Sequence, residues 1–358
     1  MRATLMEKGR LWVAEVPDPV PGQGEVLVKS IACGICGSDL HAARHTEQFV
    51  ATSREAGGAF KLTTLAPVVL GHEFCAEVVD YGPGTPRELA PGTLVCSVPV
   101  LLRGQALGLG YSEEVPGGFA EYMVLSGSLM VPVPNGLPAS HAALTEPMAV
   151  GRHAVAKAGL SGRETILVMG CGPVGLAVIA ALRAEGAGPV IAADFSPRRR
   201  QLAEQMGAHE VMDPAQLKPF ESREFPAQGQ TVIFECVGIP GMLDQIFLGA
   251  PQDARIVVVG VCLEMDQSRP LIAINKELSV QYVLGYSLEE FAQTLNLIAE
   301  GRIDVEPVIT GTVGLDGVAG AFNDLADPER HAKVLVRPWL TDDGDGDLAS
   351  GPIDDHRR

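Results

Sequence analysis

The polar and apolar positions divide the chain into two textures. Up to about residue 145 the apolar residues fall in short β-rich runs closed by Gly and Pro, among them EVLVKSIACGIC, HEFCAEVVDYG and GTLVCSVPVLL. PGQGE at 21–25 and YGPGTP at 81–86 read as turns. Residues 42–65, with the small-residue piece ATSREAGGAF, read as an irregular, exposed loop. From about residue 150 the pattern changes. Val150 to Leu160 reads as a helix, ETILVMG as an apolar strand, PVGLAVIAALRAEG as a helix and PVIAADF as a strand. RRRQLAEQMG is then a helix, and TVIFECVG and ARIVVVGV are strands. Strands alternating with helices at this spacing predict a parallel, doubly wound sheet. LSVQYVLGY at 278–286 reads as its last strand. SLEEFAQTLNLIAEGRI follows as an amphipathic helix opening at Ser287, with Glu290 in the third position of a capping box. The end, TDDGDGDLASGPIDDHRR, is acidic, Gly-rich and nearly free of apolar residues, which predicts a disordered tail. No internal repeat is present.

Composition bounds the partners. A chain of 358 residues, 46% hydrophobic, is long enough for two domains with well-buried cores. Its net charge is −17 and its one conspicuous basic run is Arg198–Arg200, so a nucleic-acid partner is not expected. The opening residues lack the apolar stretch of a signal peptide, and no apolar run approaches the length of a membrane span. The expectation is a soluble, cytoplasmic protein. Seven cysteines at positions 33, 36, 75, 96, 171, 236 and 262 follow no framework spacing and argue against structural disulfides.

Two stretches carry chemistry. In VMGCGPVG, Gly170, Gly172, Pro173, Val174 and Gly175 stand between an apolar strand and a helix, the context a dinucleotide-binding loop requires. The glycines permit a tight turn and a close approach to pyrophosphate, and the helix N-terminus supplies N–H donors. Asp194 closes the next strand, where a carboxylate takes the ribose hydroxyls of NAD and repels a 2′-phosphate. Arg198, Arg199 and Arg200 are close enough to complicate that choice, but NAD is favoured over NADP. The second stretch is CGICGSDLH, Cys33 to His41. A redox dithiol should open a helix in a thioredoxin-like unit, and a four-cysteine zinc site needs a second cysteine pair that the chain lacks. A catalytic zinc asks only for three protein ligands and an open position. His72 and Glu73 in VVLGHE, and Glu146 in TEPMAVG next to the nucleotide-binding half, are candidates.

GxxxCGICGSDLH, GHEFCAEVV, GGFAEYMVL, TEPMAVG and GCGPVGL, in that order, resemble the zinc-dependent medium-chain alcohol dehydrogenases over nearly all of residues 1–338. The sorbitol and threonine dehydrogenase branch is the most similar, because Glu146 stands where liver-type enzymes carry a cysteine. The resemblance implies an α/β fold: a GroES-like, β-rich catalytic domain at 1–149, an inserted Rossmann domain at 150–286, a return segment at 287–340 and the acidic tail at 341–358. It makes Cys36 and His72 zinc ligands, with Glu73 and Glu146 bound directly or through water, and leaves Cys33 out. Asp39 is expected to orient the His72 imidazole. Lys333 matches a basic residue near the cofactor pyrophosphate, and Arg199 one beside the adenosine.

One departure is plain. Relatives with a second, structural zinc hold it on four cysteines in the lobe after the GHE motif, and here that lobe, VCSVPVLLRGQALGLGYSEEVPGG, contains only Cys96. One zinc per subunit is therefore expected. The implied reaction is reversible hydride transfer between an alcohol (a secondary alcohol, a polyol or an aryl carbinol) and NAD. Ser38 would take the alcohol proton and His41 would pass it towards solvent. Two other readings stay open: a zinc-free quinone or enoyl reductase of the same fold, and a nucleotide-binding protein without catalysis. LSVQYVLGY is an apolar candidate edge strand, and relatives join subunits there, so a homodimer or homotetramer is expected.

Overall fold

The computed structural model describes residues 1–57, 61–221 and 230–340. The acidic tail at 341–358 lies outside the described residues. Two large sheets organise the rest. The first has seven strands, in the order Ile309–Val313, Lys333–Val336, Glu25–Gly34, Glu73–Tyr81, Leu94–Ser97 and Met130–Pro132, with Tyr122–Ser126 paired to the first half of Glu25–Gly34. The chain thus returns to this sheet after residue 300 and places Lys333 beside the strand that leads into CGICGSDLH.

The second sheet has six parallel strands, in the order Glu210–Met212, Val190–Ala193, Thr165–Met169, Thr231–Glu235, Arg255–Val258 and Ser279–Tyr282. Its four central strands read as nearly unbroken apolar runs because both faces are covered. The period of two is nevertheless visible in packing. Ile166, Val168, Val190, Ala192, Val232 and Phe234 join one core, while Leu167, Met169, Ile191, Ala193 and Ile233 join the other. Strand order reverses between Thr165–Met169 and Thr231–Glu235. A ligand crevice forms at the carboxyl ends of such strands, and Gly170 and Cys236 stand there. The expected helices form at Pro173–Ala184, Pro197–Met206 and Leu288–Ala299, the last with the Ser287–Glu290 capping box. No described helix is long and apolar enough to cross a membrane.

Two local expectations need correction. Residues 42–65 are not wholly irregular. A helix at Gly37–Arg44 is followed by another at Thr46–Ala56, whose Thr46, Phe49 and Val50 are buried. That i, i+3, i+4 spacing is helical, but one short apolar face among Thr, Ser, Arg and Ala gives a weak periodic signal. The helix expected from Val150 begins a turn earlier, at Thr145, and takes Pro147 into its first turn, where a missing N–H costs nothing. Glu146 therefore sits on a helix and not on a linker.

The lobe that holds only Cys96 is folded down on the first sheet by apolar packing and an ion pair. Val100–Arg103 and Gln105–Gly108 form a hairpin whose Leu101 and Leu107 are fully buried in the core of the first sheet. Arg103 donates to both carboxylate oxygens of Glu25, at 2.8 and 2.7 Å.

Candidate active site

Cys36 is the N-cap of the helix Gly37–Arg44, so the end of one strand and the first turn of one helix carry Cys36, Ser38, Asp39 and His41 together. Asp39 Oδ2 accepts from the Cys36 backbone N–H at 3.0 Å, which ties the carboxylate back under the turn. His72 and Glu73 arrive on the paired strand: Glu73 is in register with Gly34 across the antiparallel ladder. The result is a set of donor atoms from Cys36, His72 and Glu73 within 4.8 Å of one another. Cys33 is fully buried, with its thiol against the Gly34 carbonyl, and is not one of the set.

The surroundings are those of a cation site. His72 Nδ1 is buried without a hydrogen-bond partner, with Asp39 Oδ1 at 3.4 Å. Burial opposes charging this imidazole, but Asp39 and Cys36 hold its pKa well above the ordinary value. Glu146 is not in the set of three; its Oε1 accepts from the Tyr286 hydroxyl at 2.9 Å. Burial pushes its carboxyl up to about 7, with His72 pulling down and Glu73 pushing up. A half-buried thiol with a buried imidazole and carboxylate is a donor set that suits zinc.

Lys333, expected near the cofactor pyrophosphate, has its amine beside the donor cluster. It is 1% exposed and donates to both oxygens of Glu73, at 2.7 Å each, and to the Ile35 carbonyl at 3.0 Å. A buried ammonium needs an anion, and Glu73 is the one its strand faces. Burial disfavours the charged amine, but Glu73 and Cys36 outweigh it and raise its pKa. Glu73 therefore meets the cluster as half of an ion pair.

Ser38 and His41 lie on the same helix as Asp39. The Ser38 hydroxyl accepts from the Tyr111 hydroxyl at 2.7 Å. His41 is exposed, and partial burial, His45 and Arg44 lower its pKa. Tyr111 and Tyr286 are site residues that sequence reasoning missed. Neither belongs to a motif; the only sequence signal was an aromatic residue with a polar tip in an otherwise apolar or turn-rich stretch.

The glycine loop is formed as the motif requires. Gly170 has φ of +90°, and a side chain on Gly175 would stand 1.9 Å from the Gly170 carbonyl oxygen. Pro173 and Val174 open the helix behind Gly172, its N-cap. Asp194 Oδ2 accepts from the Cys171 N–H and Oδ1 from the Ser196 N–H, both at 2.8 Å. Its carboxylate thus stands beside the loop. Arg199 Nη1 is 3.9 Å from Asp194 Oδ2, and Arg199 Nε is buried with no partner. The loop, the acid and an unsatisfied guanidinium N–H fit a dinucleotide.

Known proteins resemble this chain along most of its length. Residues 22–135 match the model of the alcohol dehydrogenase GroES-like domain, and residues 173–300 that of zinc-binding dehydrogenases. (R,R)-Butanediol dehydrogenase of Bacillus subtilis (strain 168) is 31% identical over 338 residues, covering 91% of this chain and 96% of its own. L-Threonine 3-dehydrogenase of Thermococcus kodakarensis (strain ATCC BAA-918 / JCM 12380 / KOD1) is 31% identical over 343 residues, covering 91% and 94%. The crystal structure of a zinc-binding dehydrogenase from Sinorhizobium meliloti 1021 bound to NADP superposes with a TM-score of 0.81 at 28% identity, covering 94% of this chain and 99% of that one. The chain belongs to the zinc-type medium-chain alcohol dehydrogenases, oxidoreductases that act on CH–OH groups.

Proposed function

We propose that this enzyme oxidises a small secondary alcohol, of the vicinal diol or amino-alcohol class, to the ketone, reversibly and with NAD as the preferred hydride acceptor. The observation that carries the reading is the Cys36, His72 and Glu73 cluster, one helical turn from the Ser38 hydroxyl. The names of the butanediol and threonine relatives support the substrate class. Asp194, beside the glycine loop, supports NAD, since its carboxylate would repel a 2′-phosphate. Cys36 and His72 would hold one zinc ion, with Glu73 or Glu146 completing the set. When bound, zinc polarises the alcohol oxygen and the nicotinamide takes the hydride.

The residues of the chain do the rest. Asp39 fixes the His72 ring from behind. Ser38 accepts the alcohol proton on its oxygen while its own hydrogen leaves towards the cleft. His41, exposed and readily neutral, collects that proton and releases it to solvent. Tyr286 holds one oxygen of Glu146. Arg199 would lie along the adenosine half of the dinucleotide. Subunits join through Ser279–Tyr282, the last strand of the six, all four of whose residues are exposed. A panel of diols, amino alcohols, polyols and aryl carbinols, offered with NAD and with NADP, tests the reading. NADH formed from a vicinal diol or amino alcohol is expected. Turnover confined to quinones or enoyl substrates, without zinc, would overturn it.

A further inference from the structure

Tyr111 enters the site from the lobe and not from the helix that carries Ser38 and Asp39. Its side chain is 2% exposed, lies against the His72 ring at 5.1 Å and stacks on Phe49 at 5.7 Å. A phenylalanine would fill that space. The hydroxyl adds a polar atom to a buried position, which costs free energy unless the atom is used. It is used on the catalytic helix: its one hydrogen has two acceptors in reach, Ser38 Oγ at 2.7 Å and Asp39 Oδ1 at 3.3 Å, and the shorter bond is the one to Ser38.

That bond changes what Ser38 can do. A serine hydroxyl has one hydrogen and two acceptor lone pairs, and it rotates to suit its neighbours. With one lone pair filled by Tyr111, Ser38 keeps one acceptor and its hydrogen. A relay needs that complement, because one O–H bond must form on the oxygen as the other breaks. Without the bond, the Ser38 hydrogen can turn inward, and the oxygen no longer presents an acceptor and a donor to the cleft in fixed directions. We propose that Tyr111 is a positioning residue that sets the direction of the Ser38 hydroxyl and so the direction of proton hand-off. The inference rests on the reading of Ser38 as proton acceptor. It also gives this lobe a part in the chemistry: the hairpin pinned by Leu101, Leu107 and the Arg103–Glu25 pair carries the chain to Tyr111.

Tyr111→Phe, Ser38→Ala and the double variant test it. Tyr111→Phe keeps the ring packing. It is expected to lower kcat roughly tenfold, about the effect of losing one buried hydrogen bond, to leave KM and zinc content unchanged, and to enlarge the solvent deuterium isotope effect. In the Ser38→Ala background the same change should alter kcat by less than about twofold, because its target is gone. Melting of the four proteins without substrate gives a readout independent of turnover: Tyr111→Phe should lower Tm by roughly 2–4 °C with Ser38 present and by less without it. Full activity in Tyr111→Phe, or losses that multiply in the double variant, would overturn the inference. Full activity in Ser38→Ala would instead overturn the reading of Ser38 on which it rests.

Discussion

Cys36 makes its neighbours matter. As the N-cap of a short helix it shares a turn with Ser38 and Asp39, with His41 close behind, so one backbone conformation brings together the residues that we propose as metal donor, proton acceptor and orienting carboxylate. Cys36→Ser is expected to lose zinc and turnover while keeping the fold, as metal analysis and circular dichroism would show. Asp39→Asn should cost roughly 10- to 100-fold in metal affinity or activity, the usual effect of removing a ligand's orienting partner. A titration with a metal indicator would check it. In the relay we propose, His41 would carry the pH dependence. Partial burial, His45 and Arg44 place its pKa below the ordinary histidine value, and only the neutral ring accepts a proton. Alcohol oxidation should therefore fall as pH drops through that lowered pKa, and His41→Gln should be slower at every pH with that acid limb removed. A pH profile of kcat for both proteins decides this. Gly175→Ala puts a methyl carbon against the Gly170 carbonyl and should weaken dinucleotide binding, measurable by NADH fluorescence, before it affects zinc content.

Most of the site was legible in the sequence at the scale of elements, because the motifs sit where elements begin and end. GCGPVG reads correctly since a tight turn between an apolar strand and a helix leaves glycine little competition. Cys36, His72 and Glu73 were within reach since two paired strands end at one place. What was not legible depends on contacts far apart in the chain. Lys333 pairs with Glu73 across 260 positions, and no local pattern distinguishes that partner from a phosphate. Tyr111 and Tyr286 reach Ser38 and Glu146 from a lobe and a linker whose folding depends on tertiary packing. The lobe itself is held by buried leucines and one bidentate ion pair, contacts that no local pattern announces. Stripping metal from the enzyme should leave the lobe folded, as protection of its amides from hydrogen exchange would show. Arg103→Ala should loosen those amides without removing zinc.

The whole molecule couples the two sheets through the return of residues 309–336 to the first one. The glycine loop lies at the strand-order reversal of the second sheet, and the donor cluster lies beside the first, so the reaction we propose draws on both. The exposed edge at Ser279–Tyr282, with Tyr282 65% and Leu284 82% exposed, gives the molecule a surface that a second copy would cover. Light scattering should report a dimer or a tetramer, and Tyr282→Lys should shift it towards monomer. The account stands most directly on the metal. Zinc per subunit, measured by mass spectrometry on the purified enzyme and on Cys36→Ser alongside NADH formation from a vicinal diol, should be one ion with turnover in the first and none of either in the second. Full turnover with no zinc, or with Cys36 replaced, would contradict it.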